Sequence, residues 1–267
     1  MDGALTAKVV ALLPRTSDRE AYRADGARAA AEAIAARLGT TARIIGTPGE
    51  PRAGDYDADL VDARGCLLEA GGQLDDAFHG GQIPILTAGA CSICVTTLGA
   101  VLRARPNAFV LWLDAHADFN SPHTTPSGFL GGMCLAGACG VWDTGFGAGL
   151  DPSRIVMCGV RDIDPGELEL LETHHVSRID KPSRLADALA GREVFVHLDV
   201  DVLDPSVAPG VAYPASGGFS GEFLTNLLVG VAQVATIVGV EVAGCPDAAA
   251  AQIIAPAVEA AVAFGAS

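Results

Sequence analysis

The sequence predicts an α/β fold, a mostly parallel sheet sandwiched between helices, on three observations. Short apolar runs alternate along the chain with longer stretches rich in Ala, Leu and Glu. The runs are continuously apolar rather than alternating, as strands covered on both faces require. With 267 residues, half of them hydrophobic, the chain can bury a large core. Strand-then-helix repetition is the mark of crossover units in a parallel sheet.

Taken in order, the β-like runs are 9–13, 42–45, 82–87, 108–113, 154–159, 193–198 and 236–241. The helical stretches are 19–38, 92–103, 165–174, 184–189, 221–234 and 247–264. Segment 128–149 carries eight glycines, which suits a loop with a short helix lining a site. No composition break divides the chain, so residues 1–267 are expected to form one domain.

Composition removes several functional classes. Only 18% of residues are charged, which argues against disorder. With 32 acidic against 17 basic side chains the formal net charge is −15. Such a surface repels phosphate backbones, so no nucleic-acid partner is expected. Apolar stretches are interrupted by Gly, Asp or Pro, so no membrane partner is expected either, and run 9–13 is too short for a signal-peptide core. Seven cysteines, an odd number at irregular spacing, read as reduced thiols in a cytoplasmic protein.

The chemistry-bearing residues begin where apolar runs stop. Run 108–113 is followed by Asp114-Ala-His116-Ala-Asp118-Phe-Asn120, and run 193–198 by Asp199-Val-Asp201-Val-Leu-Asp204-Pro205. Alternate residues of an extended chain point to one side, and ligands of parallel sheets collect beyond the carboxyl ends of strands. Carboxylates converging there repel unless something neutralises them. Divalent cations do so, and oxygen donors with an imidazole favour Mn²⁺ over structural Zn²⁺. Asp-rich turns capping helices are the other reading of a single cluster; the repetition at two strand ends favours metal.

The order D-A-H-x-D-x-N, then D-x-D-x-x-D-P, resembles the ureohydrolase (arginase/agmatinase) family, with matching stretches at 114–132, 161–167 and 199–205. The resemblance implies a three-layer α/β/α sandwich around a mostly parallel eight-stranded sheet. It implies two Mn²⁺ per chain, bridged by Asp114 and Asp199. Asp118 would hold the first metal, contact a bridging hydroxide and pass a proton to the leaving amine; His116 and Asp201 would hold the second. Glu241 would bind the guanidinium of a small guanidino amino acid. Asn120, Thr125 and Ser127 would meet its α-carboxylate, and Asp164, with Glu167 nearby, its α-ammonium. Trimers or hexamers are implied for the assembly.

Two positions depart from the family pattern. The motif G-G-D-H-S stands here as Ala88-Gly89-Ala90-Cys91-Ser92, so Cys91 occupies the place of a metal-binding His. A cation and a helix N-terminus would lower its thiol pKa, yet sulfur is a soft partner for Mn²⁺ and weakens that site. Gly131 stands where the family has a proton-shuttling His. The cysteine resembles the hydroxyarginine-cleaving branch, which serves antibiotic biosynthesis. An N-hydroxyguanidine is less basic than a guanidine and needs less help with protons. The expected reaction is therefore Nω-hydroxy-L-arginine to hydroxyurea and L-ornithine. The alternatives are L-arginine, or another guanidino amino acid, as substrate, and a non-catalytic amino-acid-binding relative.

Overall fold

The computed structural model describes residues 6–19, 24–147 and 149–263. Its strands are β1 (Ala7–Leu12), β2 (Arg43–Ile45), β3 (Ile83–Thr87), β4 (Phe109–Leu113), β5 (Ile155–Cys158), β6 (Ser177–Arg178), β7 (Glu193–Asp199) and β8 (Thr236–Ala243). All belong to one sheet in the order β2-β1-β3-β8-β7-β4-β5-β6, and every pairing is parallel. The helices are α1 (Ala24–Arg37), α2 (Tyr56–Asp62), α3 (Arg64–His79), α4 (Cys94–Ala104), α5 (Cys134–Ala138), α6 (Pro165–Thr173), α7 (Leu185–Leu189), α8 (Gly221–Ala232) and α9 (Ala248–Ala263).

Two apolar layers flank the sheet, which is why its inner strands are mostly apolar. On one face Ile34 of α1, Leu224 and Leu228 of α8, and Ile254 and Val258 of α9 pack against Val194, Val196 and Val240. On the other, Leu67 and Leu74 of α3, Leu98 and Val101 of α4 and Leu135 of α5 pack against Leu86, Trp112 and Phe195. This is the expected three-layer architecture with its eight strands. Among the described residues no helix is long and apolar enough to cross a membrane.

Three elements escape the sequence reading. Helix α2 is a single short stretch, and its N-cap Asp55 accepts from Ala58 N. Helix α3 buries Leu67, Ala70, Gly71, Leu74 and Ala77. That is helical spacing, but paired glycines and polar residues blur it. Gly71 suits the close approach to α4, since a Cβ would lie 3.1 Å from the Thr96 carbonyl, a tight contact. Strand β6 is only two residues at the sheet edge. The first turn expected for α1, residues 20–23, and the last residue expected for α9, 264, lie outside the described residues.

Helix α1 crosses the chain just after β8 at very close range. A Cβ on Gly26 would sit 1.8 Å from the Cys245 carbonyl oxygen. Helix propensity alone favours Ala by roughly 1 kcal/mol, so the sign of Gly26→Ala reports the packing. We expect a net loss of about 1–3 kcal/mol, read from urea unfolding; a stabilised variant contradicts this contact.

Candidate metal centre and substrate cavity

A cavity of about 310 Å³ opens at the carboxyl edge of the sheet. The four central strands all reach it: β3 leads to Cys91, β4 to Asp114, His116 and Asp118, β7 to Asp199 and Asp201, and β8 to Gly244. The acids cluster because each follows the last apolar residue of a buried strand, where the sheet ceases to cover them.

Local hydrogen bonds hold them in place. Asp114 accepts from His116 N at 2.6 Å and from Trp112 Nε1 at 3.1 Å. Asp201 accepts from Ala115 N at 3.0 Å, and its other oxygen meets His116 Nδ1 at 3.0 Å. Asp199 accepts from Asp201 N at 2.8 Å and from the Cys91 thiol at 2.8 Å. Asp118 has a φ of +51°, a left-handed conformation that costs a non-glycine residue about 1–3 kcal/mol. Its carbonyl accepts from Leu135 N at 3.1 Å, so the start of α5 helps hold the strained residue.

So many acids gathered around one imidazole leave the site short of positive charge. Burial and then the neighbouring carboxylates push Asp114 well above the usual carboxylate range. Burial does the same to Asp118, and the neighbouring Glu167, Asp199 and Asp201 add to it. Burial and the charge of Asp201 lift Asp199 to about 6. Burial opposes a charged His116, but hydrogen bonds to Asp114 and Asp201 outweigh it and push its pKa up to about 12. Burial also opposes the charge of Asp201, which His116 nevertheless holds below the ordinary value. Cys91 faces the same surplus of negative charge. Burial, then Asp199, Asp118 and Asp114, raise its thiol well above the normal value. The short 3₁₀ turn it opens, Cys91–Ile93, cannot offset that surplus of negative charge.

The donor atoms fit divalent cations. Asp114, His116 and Asp201 each present one atom within 4.8 Å of the others, and so do Cys91, Asp114 and His197. Asp114 belongs to both groups, as a bridging carboxylate would. Asp118 and Asp199 line the same cavity but fall outside both groups.

The residues expected to meet an amino acid also face this cavity: Asn120, Thr125, Ser127, Asp164 and Glu167. Asn120 Nδ2 donates to Asp164 Oδ2 at 3.0 Å, joining the two. Thr125 and Ser127 hydroxyls accept from backbone N–H groups of the same loop. Glu167 is largely spent on the backbone. It accepts from Phe119 N at 2.7 Å and from Asp164 N at 3.2 Å, closing a capping box at the start of α6. Burial lifts it to about 7.

Glu241 is a correction. Strand β8 runs on to Ala243 rather than stopping at 241, so Glu241 lies inside the sheet, fully buried, and does not line the cavity. It accepts from Thr97 Oγ1 at 2.5 Å and pairs with His197 Nδ1 at 2.7 Å. Gly244 reaches the cavity instead, and a Cβ there would lie 2.6 Å from Asp199 Oδ1. At Gly131 a Cβ would lie 2.4 Å from the Phe129 ring, so an aromatic face fills the space a side chain would take. Phe129, Arg19 and Tyr213 complete the mouth, with Arg19 over the Phe129 ring at 5.2 Å. The sequence reading passed over these three and His197. Only His197 carried a signal, as the lone polar residue within the interior of an apolar run.

A parallel sheet that gathers carboxylates, an imidazole and a thiol in one cavity at its carboxyl edge defines an α/β protein with an acidic candidate metal centre. The chain belongs to the arginase family, whose model matches residues 9–263. It is 39% identical over 199 residues to the N(omega)-hydroxy-L-arginine amidinohydrolase of Streptomyces lavendulae, covering 73% of each chain. It is 32% identical over 166 residues to the arginase of Bacillus caldovelox, covering 55% of this chain and 56% of that one. The crystal structure of arginase from Bacillus subtilis superposes with a TM-score of 0.83 at 21% identity, over 96% of this chain and 98% of that one; this is a likeness of fold.

Proposed function

We propose that the protein hydrolyses the guanidino C–N bond of an arginine-type α-amino acid with two Mn²⁺ per chain, and that Nω-hydroxy-L-arginine is its substrate, yielding hydroxyurea and L-ornithine. The observation that carries this reading is Asp114, shared by two tight donor groups in a cavity otherwise overloaded with negative charge. Asp114, His116 and Asp201 would hold one ion; Asp114 and Cys91, with Asp199 and Asp118 beside them, would hold the other. When bound, such cations supply Lewis acidity, lowering the pKa of water so that hydroxide is available near neutral pH.

The chain's own groups do the rest. Asn120, Thr125 and Ser127 meet the α-carboxylate, and Asp164 the α-ammonium, which fixes the distance from the amino-acid head to the reacting carbon. Asp118 would take the proton given up by the attacking water and pass it to the departing amine. Glu167 keeps Asp164 and Phe119 in position through the capping box.

The cavity wall also bears on the substrate. Glu241 is withdrawn into the sheet, Gly244 is uncharged, and Phe129 covers position 131. With Glu241 withdrawn, a weakly basic N-hydroxyguanidine depends less than an obligate guanidinium on the one carboxylate expected to pair with it. The identity to the Streptomyces enzyme supports the same choice. All seven cysteines are free, consistent with a cytoplasmic setting, and family membership leads us to expect a trimer or hexamer. Ornithine release from both substrates tests the reading: we expect kcat/KM to favour hydroxyarginine by more than about tenfold. Preference for L-arginine overturns the substrate, and no turnover of any guanidino amino acid with Mn²⁺ overturns the enzyme.

A further inference from the structure

Cys91 removes an imidazole from the place where the family motif has one, and the fold brings another to the same spot. His197 stands on β7 two residues before Asp199, on the same face of the strand, and is fully buried. One of its ring nitrogens lies within 4.8 Å of a Cys91 and Asp114 donor atom. Nδ1 is committed to Glu241 at 2.7 Å. Nε2 has no hydrogen-bond partner among the described residues. A buried ring nitrogen without a partner, on a histidine grouped with a thiol and a carboxylate, calls for an explanation.

We infer that His197 Nε2 is a metal ligand, completing with Cys91 and Asp114 the ion site nearer the sheet, and that Glu241 is the outer carboxylate that orients it. This rests on the two-ion reading above and names a ligand that reading lacks. The surroundings are those of a ligating imidazole, whose second nitrogen ordinarily donates to a carboxylate and so leaves a lone pair on the first. Glu241 takes that part, itself steadied by Thr97. Trp112, the register partner of His197 on β4, stacks on the imidazole with ring centroids 3.5 Å apart and planes 2° apart. The same indole donates to Asp114, so one side chain fixes the orientation of two donors. The set Cys91, Asp114 and His197 is softer than Asp114, His116 and Asp201, so this ion tolerates thiophilic metals better than its neighbour does.

The experiment uses the whole chain, labelled with ¹⁵N-histidine, stripped of metal and titrated with ¹¹³Cd²⁺. We expect two ions per chain and ¹¹³Cd–¹⁵N coupling at two imidazoles, assigned with His116→Gln and His197→Gln. His197→Gln should lose one ion, and Glu241→Gln should keep both while weakening one by about 10–100-fold. Should His197→Gln fail to fold, the coupling in the native chain still decides. Two bound ions with coupling at His116 alone overturn the assignment of His197 and leave the two-ion reading intact. No bound ion overturns both.

Discussion

Asp114→Asn is expected to empty the cavity of both ions and to lower kcat/KM at least about 10³-fold, equivalent to roughly 4 kcal/mol of barrier. The size follows from position. Asp114 is the one carboxylate common to both donor groups, it is almost fully buried, and the backbone N–H of His116 and the indole of Trp112 already hold it in place. The amide preserves shape and volume, so the fold is expected to persist, with an unchanged circular dichroism spectrum. Asp204→Asn is the control. That side chain lies in the same motif but caps an exposed turn through Ser206 and Gly217, and its loss should leave metal content untouched. An Asp114→Asn protein that still carries two ions contradicts the bridging role.

The second large effect concerns the metal-free protein, whose stability should fall as pH rises from about 4 to about 7. Burial lifts Asp114 and Asp118 above their unfolded values, Asp199 to about 6, and Glu167 to about 7. Between the unfolded and folded pKa values of each acid the native state binds more protons than the unfolded chain, so stability declines with rising pH across that window. His116 acts in the same direction at higher pH. Its raised pKa contributes stability that is complete below about 6.5 and fades above it. Asp201, held low, acts oppositely and contributes to the loss in strong acid.

Mn²⁺ should reverse the trend, because its ligands must be deprotonated and binding tightens with pH. At a hundredfold excess over Kd each ion adds about 2.7 kcal/mol, or roughly 5–10 °C in Tm for a chain of this size. Thermal melts of the stripped protein from pH 4.5 to 8, with and without Mn²⁺, read both effects. A metal-free Tm that climbs across this range, or one that Mn²⁺ leaves unmoved, contradicts the account.

Much of this architecture was legible in the sequence because burial and chemistry change at the same residues. Runs such as 108–113 are apolar to their last residue, and the first acid marks the sheet's edge. That rule placed Asp114, Asp118, Asp199 and Asp201 together from two distant segments. It failed at β8, where Glu241 is polar yet two residues short of the edge. A carboxylate can stay inside a sheet when an imidazole and a hydroxyl meet it, and those partners, His197 and Thr97, come from other elements. The role of His197 was hidden for the same reason. A lone polar residue within a strand declares its role only when the opposing strands are known. Helix α3 was missed because glycines stand at 71 and 72, where 71 packs closely on α4, and glycine reads as a break in a helix rather than as a close approach.

The central claim is that the acids at the ends of β4 and β7 exist to hold a pair of cations. Anomalous diffraction at the manganese edge, from crystals of the native chain equilibrated with Mn²⁺, tests it directly. The account predicts two peaks per chain on either side of Asp114, one shared with His116 and Asp201 and the other beside Cys91. A cavity without anomalous density, or ions bound only at the exposed surface, would contradict it.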